Sequence, residues 1–170
     1  AGDAWDKVAT EDGITGYIQN KKLGQAEKKS HGHKSRKEKF THLLKDEKIN
    51  MGWHQVTVPE ANNTISEVLS GVKGLNVISP TWFYLNDNNG TLMNLASAEY
   101  VQYCHNQGIE VWALVSNLEN DQVDSAEVLN YTSKRTNVVN QLIAAAIQYN
   151  FDGINVDFEA LGKEAGDGYI

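Results

Sequence analysis

Asp152-Gly-Ile-Asn155-Val-Asp157-Phe-Glu159 is the stretch on which the reading of this chain turns. In an extended strand the side chains alternate, so Asn155, Asp157 and Glu159 share one face. Ile154, Val156 and Phe158 share the other, and the alternation predicts that they pack beneath surrounding helices. Same-face carboxylates two residues apart lie roughly 6–7 Å from one another. They are expected to couple, which raises the proton affinity of at least one. Buried groups of this kind must be hydrogen-bonded, paired, metal-bound or kept protonated. Three readings follow: a solvated polar rim, an oxygen-ligand site for a divalent metal, or an acid/base pair. Glu159, at the strand tip, is the group best placed to protonate a ligand, and this favours the third.

Upstream, short apolar runs alternate with helical periods. Residues 49–56, 75–85 and 109–117 read as strands, and 153–159 is the fourth. Between the first two, Ile65, Val68, Leu69 and Val72 fall at helical spacing, with Thr64 and Glu67 as a capping box. Ser97 opens a second helix that places Val101 and Cys104 on one face and stops near Gly108. A third helix, 133–149, stacks Val139, Leu142, Ile143, Ala146 and Tyr149. Asp124 with Glu127 predicts a short extra helix before it. Strand-helix alternation implies an α/β fold of parallel strands joined by right-handed crossovers. Pattern alone fits either a doubly wound sheet or the front of a (β/α)8 barrel. No G-x-G-x-x-G turn follows any strand, so a dinucleotide site has no support.

Charge divides the 170 residues into three segments. Residues 1–24 sum to −1, 25–48 to +4 and 49–170 to −10, within a total of −7. The stretch QAEKKSHGHKSRKEKF (25–40) holds one apolar residue larger than alanine, so it reads as a solvated basic linker. Its other reading is a contact with phosphates or anionic cell-wall polymer. His31, His33 and His42 lack ligand partners at metal spacing, and no metal site or cofactor is expected. Residues 1–24 are similar to the last strands of a bacterial Src-homology-3-like module, through Trp5-Asp-Lys-Val, Asp12-Gly13 and Gly16-Tyr17-Ile18. Asp-Gly between short β runs is a hairpin signal in itself.

Other classes are disfavoured by composition. No run approaches about 18 consecutive apolar residues, so no membrane span is expected. The opening AGDAW lacks the basic start and apolar core of a signal peptide. A single cysteine, Cys104, excludes an internal disulfide framework and a cysteine zinc cage. Neither Cys104 nor His54 has an identifiable partner, and both read as packing residues. Trp53, Trp82 and Trp112 lie in or near strand ends, where indole rings either fill a core or stack on a ligand face.

Asp152-Gly-Ile-Asn155-Val-Asp157-Phe-Glu159 closely resembles the D-x-x-D-x-D-x-E signature of glycoside hydrolase family 18. The resemblance covers residues 49–170. NVISPTWFYL (76–85) and VWALVSN (111–117) look most like the bacterial cell-wall and spore-cortex-lytic branch. It implies a (β/α)8 barrel, of which this chain holds the first half, about four parallel strands. It also implies retaining hydrolysis of N-acetylglucosamine glycans, either peptidoglycan or chitin-like. In this family the substrate's own 2-acetamido group replaces a protein nucleophile.

Residue by residue, the resemblance makes Glu159 the general acid. Asp157 orients the acetamido group and stabilises the charge it gains, and Asp152 supports the strand. Asn155 departs from the family pattern, in which an aspartate shares a proton with the one at 157. An amide can hydrogen-bond Asp157 but cannot accept that proton, so a changed pH profile is expected. Asn117 stands where many chitinases carry a glycine-rich motif. Trp53 and Trp82 complete the expected substrate-binding or supporting set. The resemblance further implies a polysaccharide partner rather than nucleic acid or membrane, and an extracellular or wall-associated location. Bare half-barrel edges would invite self-association. The alternative is a non-catalytic glycan-binding protein on the same scaffold.

Overall fold

The structure is a computed structural model that describes residues 4–10, 15–25 and 44–169. The chain divides into two compact units, Ala1–Lys48 and Ile49–Ile170. The first holds a two-stranded antiparallel hairpin of β1 (Trp5–Ala9) and β2 (Thr15–Gln19), in register from Trp5↔Gln19 to Ala9↔Thr15. The Asp12-Gly13 turn signal, most of the basic linker and its three histidines lie outside the described residues.

The second unit is a six-stranded mixed sheet with helices packed on it. Its strands are β3 (Met51–His54), β4 (Val77–Pro80), β5 (Phe83–Leu85), β6 (Leu92–Asn94), β7 (Glu110–Ser116) and β8 (Gly153–Asp157). The β3–β4, β4–β7 and β7–β8 pairs are all parallel. The second predicted strand is broken in two. β4 pairs the start of β7 and β5 pairs its end, with Thr81 and Trp82 between them. Thr81 N–H leaves the ladder to donate to His54 C=O (3.1 Å), and the Trp82 C=O accepts from Leu95 N–H (3.0 Å).

The antiparallel β5–β6 hairpin is absent from the sequence-based expectation. Its turn is Asp87-Asn-Asn-Gly90. The Asp87 carboxylate accepts from Asn89 and Thr91 N–H, and Gly90 takes φ +75°. A Cβ at Gly90 would stand 2.6 Å from the Lys134 carbonyl oxygen, so the close approach of a helix also requires glycine there.

Among the helices, α2 (Ala98–Asn106) starts as expected, its Ser97 Oγ accepting from Tyr100 N–H. The helix α3 (Ser125–Asn130) starts on Asp124, whose carboxylate accepts from Ala126 and Glu127 N–H. The first helix differs. A 3₁₀ turn over Pro59–Thr64 precedes a single α-turn, α1 (Ile65–Val68), and Thr64 makes no cap. Its hydroxyl donates instead to Ala61 C=O (2.8 Å), so the Thr64–Glu67 capping box does not form. In α4 (Thr132–Tyr149) the buried stripe is Val138, Leu142 and Ala145, while Val139 and Ile143 are exposed. Apolar residues on adjoining stripes made the helix orientation ambiguous, and core packing selected the neighbouring stripe. A last turn, α5 (Gly166–Tyr169), follows β8.

The core lies between the sheet and its helices, around Trp82, Phe83, Tyr100, Val111, Val115, Leu142 and Phe151. Trp82 meets Tyr100 edge-on, with ring centroids 5.0 Å apart. Cys104 is buried in this core, and desolvation pushes its thiol up to about 12. Among the described residues, no helix is long and apolar enough to cross a membrane.

Candidate functional site

Strand β8 is paired along its whole length with β7, from Trp112↔Gly153 to Ser116↔Asp157. The pleat carries Asn155 and Asp157 to the same face as Trp112, Leu114 and Ser116. Through β4 and β3 that face continues to Ser79 and Trp53, which are register partners. Ser116 is also the partner of Tyr84 in β5, so Tyr84, Ser116 and Asp157 form one row across three strands. Trp53 is 66% exposed, consistent with a ring open to a ligand.

The expected site residues divide by what their polar atoms do. Asp152 sits at the start of β8, where its carboxylate accepts from Val111 N–H (2.8 Å) and meets His105 Nε2 (2.8 Å). Its own N–H donates to Val111 C=O (2.9 Å), so Asp152 ties the entry of β8 to β7. Asp157 and Glu159 lie at the other end, half-buried and exposed respectively. Neither carboxylate hydrogen-bonds any of the described residues. Asn155 is half-buried, and its amide donates to Ser79 Oγ (3.2 Å) on the shared face rather than to Asp157.

Two expectations are corrected here. Trp82 is fully buried, with its indole N–H donating to Asn62 Oδ1 (2.8 Å), so it is a core residue and cannot face a ligand. It occupies the break between β4 and β5, where the chain turns the ring beneath the sheet. The second concerns the far face of β8. Ile154 and Val156 are 36% and 50% exposed, so no helix of the described chain covers them. Phe158 alone of the three is packed, stacked on Tyr169 at 6.1 Å.

His54, expected to lack a partner, is buried in a defined network. Thr64 Oγ1 gives its proton to Ala61 C=O, so it accepts from His54 Nε2–H (3.2 Å). Nδ1 then accepts from the Tyr100 hydroxyl (3.0 Å). The ring is held neutral, and burial lowers its pKa below the ordinary value.

Asn117, at the end of β7, is 7% exposed. Its Oδ1 accepts from Glu159 N–H (2.8 Å) while its Nδ2 donates to Glu159 C=O (3.0 Å) and Ser125 Oγ (2.9 Å). Glu159 borders a cleft of about 340 Å³, lined also by Asn117, Asp121, Ser125 and Glu164. Among the described residues no cluster of His, Cys, Asp and Glu has the arrangement of a metal site. Sequence reasoning missed Tyr84 and Ser79 as members of the carboxylate face. The alternation of Phe83-Tyr84-Leu85, with its phenol between two apolar residues, was the available signal.

Comparison with known proteins adds the following. No family model matches the chain. Over 83 residues it is 28% identical to the uncharacterized glycosylase YvbX of Bacillus subtilis, covering 46% of this chain and 24% of that protein. The spore cortex-lytic enzyme SleL of Bacillus cereus superposes with a TM-score of 0.59 at 15% identity, over 70% of this chain and 29% of SleL. A class V chitinase mutant of the plant Cycas revoluta, solved in complex with (GlcNAc)3, gives 0.56 at 14% identity, over 72% and 38%. A chitinase of Chromobacterium violaceum gives 0.54 at 16% identity, over 71% and 38%. The chain thus spans about a quarter of the curated relative and about a third of these solved enzymes. Its α/β fold is similar to part of the domains of chitinases and of a cortex-lytic enzyme.

Proposed function

We propose that the chain contributes the acid-bearing part of a glycosidase that hydrolyses N-acetylglucosamine glycan, peptidoglycan or chitin-like, by family 18-type substrate-assisted catalysis. The observation that supports this most is the pair of carboxylates at the C-terminal end of a parallel strand, where folds of this kind place their active sites. The carboxylates of Asp157 and Glu159 make no hydrogen bond to any described residue, and the exposed Trp53 shares the sheet face of Asp157. Structural carboxylates are normally satisfied by the protein, as Asp152 is.

In this reading Glu159 protonates the glycosidic oxygen as the bond to the anomeric carbon breaks. Asp157 holds the substrate's acetamido group, whose oxygen attacks that carbon from the opposite side. Water then opens the resulting ring with retention of configuration. Trp53 offers an apolar face to a sugar ring. Residues 49–170 correspond to the first half of a (β/α)8 barrel. Residues 1–24 are the end of a Src-homology-3-like module and 25–48 a basic linker, in a protein that works outside the cell or at its wall. Self-association through the open edge of β8 belongs to the same reading.

The test compares the full-length enzyme that carries this chain, wild type and Glu159→Gln, on N-acetylglucosamine oligomers and on peptidoglycan, scoring reducing ends. General acids contribute about 10²–10⁴-fold, so the variant is expected to lose at least about 100-fold in kcat. Undiminished release by the variant overturns the reading. Retention on peptidoglycan with no release by wild type favours the binding-protein alternative.

A further inference from the structure

We infer that Asn117 is a positioning residue, acting on the proposed acid entirely through the backbone of Glu159. The inference rests on the assignment of Glu159 as the acid. Strand β8 ends at Asp157, so Glu159 has left the ladder and no neighbouring strand pairs its peptide groups. Directly after it, Ala160 takes φ +52°, a left-handed conformation uncommon for a residue with a Cβ. The backbone therefore turns sharply at the point where an acid needs a fixed origin. A single buried side chain supplies what the missing strand would. The Asn117 amide accepts from Glu159 N–H at 2.8 Å and donates to Glu159 C=O at 3.0 Å.

The geometry is that of a peptide-to-peptide pair, with an asparagine amide in place of one strand. Ser125 Oγ, 2.9 Å from Nδ2, fixes the amide against rotation about its terminal bond. Ser125 opens α3, so the clamp joins β7, the start of that helix and the turn after β8. A short carboxamide presents an acceptor and a donor on separate, adjacent atoms, which a carboxylate or a hydroxyl does not. Aspartate would keep the bond to Glu159 N–H and lose both donated bonds. Alanine would lose all three and leave the Glu159 peptide groups open to water. The Glu159 carboxylate itself touches nothing in the clamp, so its chemistry is unchanged and only its placement is controlled.

The experiment measures amide hydrogen exchange by NMR on the whole chain, in wild type, Asn117→Asp and Asn117→Ala. The Glu159 amide is expected to exchange about tenfold faster or more in Asn117→Ala. The amides of Ala113 and Val115 in β7 serve as the measure of intact fold and should be unchanged. Unaltered exchange at Glu159 overturns the clamp. If Asn117→Ala fails to fold, Asn117→Asp decides, with smaller acceleration expected because one of the two bonds to Glu159 survives. Steady-state hydrolysis of N-acetylglucosamine oligomers gives the second readout. Displacing a catalytic group by about 1 Å costs on the order of 100-fold, so kcat should fall about 10–100-fold while KM stays within about twofold. An equal kcat despite faster exchange overturns the positioning role and leaves the glycosidase reading standing. A full-length wild-type enzyme that cleaves no oligomer overturns that reading, while exchange at Glu159 still decides whether the clamp exists.

Discussion

At the entry of β8 the Asp152 carboxylate accepts Val111 N–H and meets His105 Nε2, whereas past its exit the Glu159 carboxylate contacts no polar group of the described chain. The two belong to one eight-residue motif, and sequence spacing does not separate their roles. Partners do. The carboxylate at the entry is engaged by its own protein through Oδ2 and fastens one strand to the next. At the exit, the peptide groups of Glu159 are saturated by Asn117 and the acid group is left free. In the proposed function, that free carboxyl is the group offered to the glycosidic oxygen.

The largest expected effect breaks the comparison most directly. Glu159→Gln should lose at least about 100-fold in glycan hydrolysis while its thermal midpoint stays at the wild-type value. Equal destabilisation by this variant and by changes at Asp152 would erase the distinction. Next comes Asp152→Ala, which removes an ion-assisted hydrogen bond and leaves the Val111 N–H unpaired. A loss of about 1.5–3 kcal/mol in urea unfolding is expected, and any fall in activity should track the unfolded fraction.

The third prediction concerns His54, a polar group as fully satisfied as Asp152 but inside the core. Burial lowers its folded pKa below the ordinary value near 6.5. The unfolded chain therefore takes up the proton first as pH falls, and stability declines below about pH 6.5 until the folded pKa is passed. Urea midpoints at pH 7.5 and 5.5 should separate for wild type. The separation should shrink in His54→Gln, since the other histidines are common to both proteins. The smallest effect is expected from Trp53→Ala. An exposed ring of this kind should cost at most about 0.5 kcal/mol in stability, with weaker binding of N-acetylglucosamine oligomers measured by fluorescence or calorimetry. A large loss of stability would move Trp53 to the structural side of the comparison.

The alternation from Gly153 to Asp157 was readable because a strand has one period, and the Ser97 and Asp124 caps because a short polar side chain needs only its own next turn. The expected strand to Glu159 stops two residues short. Features decided by distant residues were not readable. Trp82 has the same local setting as Trp53, an indole near a strand end. Its burial depends on Asn62, twenty residues away, and on the break that sends Thr81 to His54. Thr64 looked like a helix cap until the turn from Pro59 took its hydroxyl. The stripe of α4 that faces inward was fixed by what the sheet presents to it. Asn117 stood out in the sequence only as a departure from a glycine-rich motif. Its bonds to Glu159 span forty-two residues and have no local signature.

Cys104 gives the molecule a gauge of its own integrity. It is the sole thiol of the chain, it has no solvent-accessible surface, and its proton is held up to about pH 12. Thiol-reactive reagents attack the thiolate, so in the native state both access and ionisation are denied to them. Labelling at Cys104 therefore requires the core between α2 and the sheet to open, and with reagent in excess over reclosing it reports the opening rate. A single mass shift would count opening events in any variant described above, without a fluorophore or a substrate.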